Sequence, residues 1–138
     1  MLSCQELTRK YYTHQKDTTM FIYGGKTYDC SFELGLSMLS RKWHSLVLYH
    51  LSTGTKRYGE LKKLIRGITQ KMLTQTLREL ETYQLIHREV YPVVPPKVEY
   101  SLTEYGEEIL PILEKIQAFG EAMYQRYERE GLVEEMEG

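Results

Sequence analysis

The sequence predicts a mainly α-helical fold with a small β-hairpin wing, a winged helix-turn-helix, with terminal helices forming a dimer interface. One observation is a pair of amphipathic helices, 58–65 and 69–83, joined by a short turn around Gly67. A second is a pair of β-like runs, 85–91 and 97–102, that follows at once. A helix-turn-helix followed directly by a hairpin is the winged-helix arrangement.

The composition fits one soluble domain. The chain has 138 residues, a net charge of −1 and 41% hydrophobic residues. It has no apolar run near the ~18 residues of a membrane span and no signal-peptide pattern at its start. Two cysteines are too few for a disulfide framework. We therefore expect a cytoplasmic protein.

The first half of the chain is expected to hold several short elements. Residues 3–16 are weakly helical in pattern, and two β-prone runs around Gly24-Gly25 predict a hairpin, because glycine tolerates the positive φ of a tight turn. Helices are expected over 32–39 and 41–52. Each helix of the pair has an apolar stripe on one side and a polar face on the other. Thr69 can cap the second helix.

The end of the chain predicts a long helix, from 103 to about 130, which Pro111 should kink or split. Apolar residues recur along it at steps of three and four, a seam suited to a partner helix. Packing on its own domain is the alternative. The expected dimer interface is Ile109, Ile112, Ile116, Phe119, Met123 and Tyr127.

Charge is distributed unevenly behind the near-neutral total. Residues 41–103 carry 11 basic and 5 acidic side chains, whereas residues 104–138 carry 3 basic and 10 acidic ones. A basic middle segment indicates a polyanionic partner, although chance clustering of surface charge gives the same numbers.

Helix 69–83 carries the candidate base-reading face. Arg and Lys can pair with guanine, Gln can bracket adenine, and Thr can touch a thymine methyl. We expect no acid on this face, with Glu79 and Glu81 lying elsewhere. Its members are Gln70, Lys71, Thr74, Gln75 and Arg78.

Other residues suit contacts to the DNA backbone, which fix register without reading sequence. They lie before the helix pair, at the start of helix 69–83 and around the wing, 85–102. The candidates are Lys56, Arg57, Thr69, Arg88, Pro95, Pro96 and Lys97. Lys62, Lys63 and Arg66 are further cations, of which the first two are the best candidates for bystanders.

Catalytic and metal sites are not expected, and neither is a cofactor. Gly25-Lys26-Thr27 resembles the end of a phosphate-binding loop, but Met20 occupies the place of its first glycine. The four histidines lack metal-ligand spacing. Cys30 is a candidate redox sensor, with a small buried hydrophobic residue as the alternative.

Several blocks resemble HxlR-type regulators, bacterial winged helix-turn-helix proteins distantly similar to MarR proteins. The blocks occur in the family's order and together extend across roughly two thirds of the chain. They include Lys42-Trp43, Arg57-Tyr58-Gly59-Glu60-Leu61, Gly67-Ile68-Thr69-Gln70-Lys71, Leu77-Arg78-Glu79-Leu80-Glu81, Arg88-Glu89-Val90-Tyr91-Pro92, Val94-Pro95-Pro96-Lys97-Val98 and Tyr105-Gly106.

The resemblance implies a homodimer whose two recognition helices enter successive major grooves of a pseudo-palindromic operator in a prokaryotic cytoplasm. Family members often carry Cys-Pro where this chain has Cys30-Ser31, and some of them sense oxidants or electrophiles through that cysteine. We expect an N-terminal arm over 1–29, a DNA-binding core over 30–103 and a dimerisation helix over 104–138. The alternative is a winged-helix module that binds a protein instead of DNA.

Overall fold

A computed structural model describes residues 1, 6, 21–134 and 136. The expected helix over 3–16 lies outside these residues except for Glu6, which is helical. The described part confirms the predicted fold class of helices with small antiparallel sheets.

An N-terminal hairpin precedes the helices, as the Gly-Gly pair predicts. Strand β1, Phe21–Tyr23, pairs antiparallel with β2, Lys26–Tyr28. Gly24 and Gly25 join them at φ of 58° and 76°, a conformation that residues with a Cβ rarely adopt.

Four helices follow the hairpin. They are α1, Ser31–Leu39; α2, Lys42–Leu51; α3, Tyr58–Leu64; and α4, Gln70–Thr82. Their apolar stripes meet in one core with the sheet and the last helices. The largest fully buried side chains there are Val47, Leu48, Leu61, Ile65, Leu73 and Leu80.

The wing consists of β4, Ile86–Tyr91, and β5, Lys97–Leu102, paired from Ile86↔Leu102 to Tyr91↔Lys97. A short strand, β3, Lys56–Arg57, adds to the other edge of β5 and gives the order β3-β5-β4. The sequence does not predict β3, because two residues are too few to show an alternating pattern.

The terminal helix is divided, as Pro111 predicts. Helix α5 spans Glu104–Glu108, and α6 spans Leu110–Arg129 with the proline in its first turn, where a missing backbone N–H is tolerated. Leu113 of α6 is buried in the core, so the start of this helix packs on its own domain.

Candidate nucleic-acid interface

Helix α4 presents its polar face to solvent because its apolar face is fixed in the core. Leu73, Leu77 and Leu80 are at most 2% exposed. The helix begins at the predicted cap, where the Thr69 hydroxyl oxygen accepts a hydrogen bond from the Met72 backbone N–H at 3.1 Å.

All five predicted base-reading residues lie on one concave surface of α4, which we call the α4 surface. Its lining residues are Thr69, Gln70, Lys71, Thr74, Gln75, Arg78 and Glu79. Gln70, Lys71, Gln75 and Arg78 are exposed, whereas Thr74 is half-buried. Every one of these side chains is polar, so the surface offers hydrogen-bonding groups instead of apolar anchors.

Tyr58 at the start of α3 forms hydrogen bonds with residues of this surface. Its hydroxyl lies 3.1 Å from Thr74 Oγ1 and donates to the Gln70 backbone carbonyl at 3.0 Å. These contacts tie the first helix of the motif to the exposed face of the second. They also engage the Thr74 hydroxyl, so the methyl group is the part of this side chain that makes no hydrogen bond.

Glu79 lies on the α4 surface, and the expectation that no acid would do so is wrong. Residues four apart stand on the same side of a helix, and Gln75 Nε2 donates to Glu79 Oε1 at 3.1 Å. The spacing of four residues between Gln75 and Glu79 is evident in the sequence. Glu81, which is exposed, is not among the lining residues.

Helix α2 holds the Glu79 carboxylate from the other side. Glu79 Oε2 lies 2.7 Å from His44 Nε2 and also accepts a hydrogen bond from Arg41 Nη1. His44 is only 4% exposed. Arg41, His44 and Glu79 are functional candidates that the sequence analysis missed, because only the packing of α2 on α4 brings them together.

Burial lowers the pKa of His44 below its ordinary 6.5, outweighing the hydrogen bond and charge of Glu79, which raise it. For Glu79, partial burial raises the pKa, but hydrogen bonds from Gln75 and His44 and the charge of Arg41 together bring it below 4.5. At neutral pH the pair is therefore a neutral imidazole donating to a carboxylate.

Apart from Thr69, the cap of α4, and Lys97, the predicted backbone-contacting residues fall into two groups. Arg57, Arg88, Pro95 and Pro96 are exposed on β3 and on the wing. Lys56 is half-buried and donates to the Gly54 carbonyl at 3.4 Å.

Lys97 is engaged within the wing. Its Nζ lies 2.9 Å from Glu99 Oε1 and 4.9 Å from the centre of the Tyr91 ring. A phosphate would therefore have to share this ammonium group with Glu99.

The predicted dimer residues differ in exposure. Ile109 is only 8% exposed and packs in the core of its own chain, so it is not available to a partner. Ile112, Ile116 and Phe119 are 47%, 52% and 69% exposed, and Tyr127 is 39% exposed. Met123 is half-buried.

Cys30 is 6% exposed at the N-terminal cap position of α1 and is disulfide-bonded. The other cysteine in the sequence, Cys4, lies outside the described residues. The expectation of a lone Cys30 thiol is therefore wrong, because Cys30 forms a disulfide.

In the described part of the chain, no group of three or more His, Cys, Asp or Glu side chains could hold a metal ion. No helix there combines the length and apolar character needed to cross a membrane.

Residues 38–128 match the family model of the HxlR-like helix-turn-helix. The Bacillus subtilis HTH-type transcriptional regulator YkvN is 53% identical over 95 residues, covering 69% of this chain and 80% of YkvN. An HTH-type transcriptional regulator of Methanothermobacter thermautotrophicus is 47% identical over 108 residues, covering 78% of this chain and 82% of the relative.

Among solved structures, the redox regulator HypR in its reduced form superposes with a TM-score of 0.68 at 43% identity, covering 72% of this chain and 99% of HypR. Residues 38–128, which match the family model, contain the helix pair, the wing and most of α6. The chain therefore belongs to the HxlR-like helix-turn-helix family of transcriptional regulators.

Proposed function

We propose that this transcriptional regulator binds DNA as a homodimer, with α4 in the major groove and the wing on the flanking backbone. The observation that carries the proposal is the α4 surface. Its glutamine, lysine and arginine side chains extend from one exposed face of the second helix of a helix-turn-helix. These are the side chains that read base edges in that groove.

The polar character of the α4 surface favours DNA over a protein partner. A protein interface is enriched in aromatic and aliphatic side chains at its centre, and none lines this surface. Further cations are exposed on and after α3, the first helix of the pair, namely Lys62, Lys63 and Arg66. Affinity should accordingly fall by about 0.9 log units per decade of salt for each phosphate neutralised.

The dimer is supported by apolar side chains that α6 leaves in solvent. Ile112, Ile116 and Phe119 recur at steps of four and three, so they lie along one stripe of the helix. A second copy of the chain would remove this stripe from water. The two α4 helices would then lie roughly 34 Å apart, one turn of DNA, on a pseudo-palindromic site in the cytoplasm.

Selection from a random DNA library tests the base-reading assignment. The protein should enrich a pseudo-palindrome, and Arg78→Ala should weaken binding to it by about tenfold or more, the cost of a lost bidentate guanine contact. Lys63→Ala is the matched control, because it removes a cation outside the α4 surface and should weaken all sequences similarly and less. Failure to enrich any sequence, or equal effects of both variants, would refute the assignment.

We propose further that the Cys30 disulfide is redox-responsive. Cys30 is disulfide-bonded at the start of α1, and the related HypR is described as a redox regulator in both reduced and oxidised forms. A thiol reductant would supply two electrons and two protons to give two thiols, and diamide would remove them again. DNA affinity should change between the two states.

A Cys30→Ser variant tests this second proposal. It cannot form the disulfide, so reductant and diamide should leave its DNA affinity unchanged while they alter that of the unmodified protein. Cys4→Ser removes the only other cysteine of the chain, so it should lose the redox response as well if the disulfide lies within one chain. If the unmodified protein binds DNA identically in both redox states, Cys30 is structural.

A further inference from the structure

We propose that Glu79 is a positioning residue for base recognition. It holds the side-chain amide of Gln75 in one of its two orientations and so sets the donor–acceptor pattern that Gln75 presents to DNA. The inference rests on the proposed function and deepens it. Glu79 places a negative charge on a surface whose proposed partner, DNA, is a polyanion.

The Glu79 carboxylate divides its two oxygens between two helices. Oε2 faces α2, where His44 Nε2 lies at 2.7 Å and Arg41 donates to the same atom. Oε1 faces along α4 and accepts from Gln75 Nε2 at 3.1 Å. The carboxylate is thus anchored by residues outside the recognition helix and is only 29% exposed.

An anchored carboxylate selects one orientation of the amide. A glutamine amide has a donor nitrogen and an acceptor oxygen that exchange places when the group turns over. Against Glu79 Oε1 only the nitrogen is favourable, because the turned-over amide would set its oxygen against a carboxylate oxygen. Gln75 therefore keeps its carbonyl oxygen and its second N–H for an incoming base.

The pattern that remains on Gln75 fits adenine. A glutamine reads adenine by accepting from N6 and donating to N7, which uses one oxygen and one N–H. Nε2 carries two hydrogens, so the bond to Glu79 leaves the second one free for N7. Fixing the amide before DNA arrives also avoids the loss of side-chain entropy on binding.

The other glutamine of the α4 surface provides an internal comparison. Gln70 is exposed and lines the same surface, but among the described residues its side chain makes no hydrogen bond. We therefore expect the side-chain amide of Gln75 to be ordered in the free protein and that of Gln70 to be mobile.

The experiment measures relative affinity for operators that carry each base pair at each position. The unmodified protein should prefer A·T at one position by about tenfold or more, and Gln75→Ala should abolish that preference. Glu79→Gln keeps the shape but can offer either an oxygen or a nitrogen to Gln75. It should reduce the same preference to about threefold or less, while affinity for other sequences stays equal or rises because a negative charge is lost.

Two variants complete the design. Glu79→Gln combined with Gln75→Ala should lose no more discrimination than Gln75→Ala alone, because the two residues act as one unit. Glu81→Gln removes an exposed acid of the same helix outside the α4 surface and should leave the profile unchanged.

Full discrimination by Glu79→Gln, or an equal loss of affinity for every sequence, would overturn the inference, as would an unaltered profile for Gln75→Ala. If the unmodified protein selects no sequence at all, the proposed function itself fails. Side-chain amide NMR order parameters of the unmodified protein give an answer that needs no variant: equal mobility of Gln75 and Gln70 contradicts the inference, and a rigid Gln75 beside a mobile Gln70 supports it.

Discussion

At the scale of single residues, His44 shows how a buried polar group is fitted to its neighbours. Its Nε2 must donate to the Glu79 carboxylate, so in the neutral ring Nδ1 is a bare acceptor. Nδ1 is buried and has no hydrogen-bond partner among the described residues. Protonation would turn it into a buried donor without an acceptor, a costlier arrangement, which agrees with the lowered pKa of His44.

This linkage predicts a pH-dependent stability. Because the folded pKa of His44 lies below 6.5, the unfolded chain binds more protons as the pH falls below that value, and the free energy of unfolding decreases. Arg41 and Lys26 add to the effect, since their charges also lower this pKa. His44→Gln keeps a donor for Glu79 but does not titrate.

Urea unfolding of both proteins between pH 7.5 and about 5 measures this effect. The unmodified protein should lose more stability than His44→Gln across that window. Equal slopes for the two proteins would contradict the account. Below pH 4.5 both should weaken together, because the lowered pKa of Glu79 is common to them.

Gln84 is a second residue-scale feature, with a left-handed φ of 60° between α4 and β4. A residue with a Cβ pays about 1–2 kcal/mol for this conformation, whereas glycine adopts it freely. Gln84→Gly should raise the free energy of unfolding by about 0.5–1 kcal/mol, measured by urea titration. Gln84→Ala keeps the Cβ and should show no such gain; equal gains would exclude backbone strain as the cause.

At the scale of elements, the junction of the wing with α5 depends on close backbone contact. Thr103 caps α5, since its Oγ1 accepts from the Gly106 N–H at 3.1 Å, and its own N–H donates to the Leu85 carbonyl at 3.1 Å. A Cβ on Gly106 would lie 2.1 Å from that carbonyl oxygen. The chain before β4 and the start of the terminal helices can therefore pack this closely only around a glycine.

Gly106→Ala should destabilise the protein by about 1–3 kcal/mol or more, because the backbone must shift to remove the clash. Gly120→Ala is the matched control: a Cβ there meets no atom within 4 Å, and alanine favours a helix by about 0.5–1 kcal/mol. Thermal unfolding of both variants checks the prediction. A Gly106→Ala protein as stable as the Gly120→Ala protein would contradict the packing described.

Elements whose apolar pattern repeats could be predicted from the sequence, and contacts between elements could not. The stripe on α4, the Thr69 cap and the division at Pro111 each depend on neighbouring residues, and all are confirmed. Strand β3 depends on pairing with β5, more than 40 residues later in the chain. The bonds from Arg41 and His44 to Glu79 likewise join residues 38 and 35 positions apart.

At the scale of the whole molecule, opposite charges separate along the chain. The basic segment contains α4 and the wing, whereas the acidic segment contains α5 and α6. Sequence periodicity identifies the α6 seam, but it assigns Ile109 to a partner when the structure uses it in the core. A repeating pattern shows which face of a helix is apolar and does not show what covers each part of that face.

The dimer proposal predicts the effect of charges on the exposed seam. Ile116→Asp combined with Phe119→Asp should convert a dimer into a monomer, because two carboxylates cannot be buried unpaired at an interface. Ala118→Asp adds one charge to an exposed position of the same helix away from the seam and should leave the dimer intact. Light scattering after size-exclusion chromatography distinguishes the outcomes, and a dimer that survives the double substitution would exclude this seam.

In the proposed complex, two α4 helices read two neighbouring major grooves. Hydroxyl-radical footprinting of the protein on its selected operator tests this arrangement. We expect two protected regions on one face of the duplex, roughly 34 Å apart, both lost together in Arg78→Ala at the same protein concentration. A single protected region, or an unchanged footprint for Arg78→Ala, would contradict it.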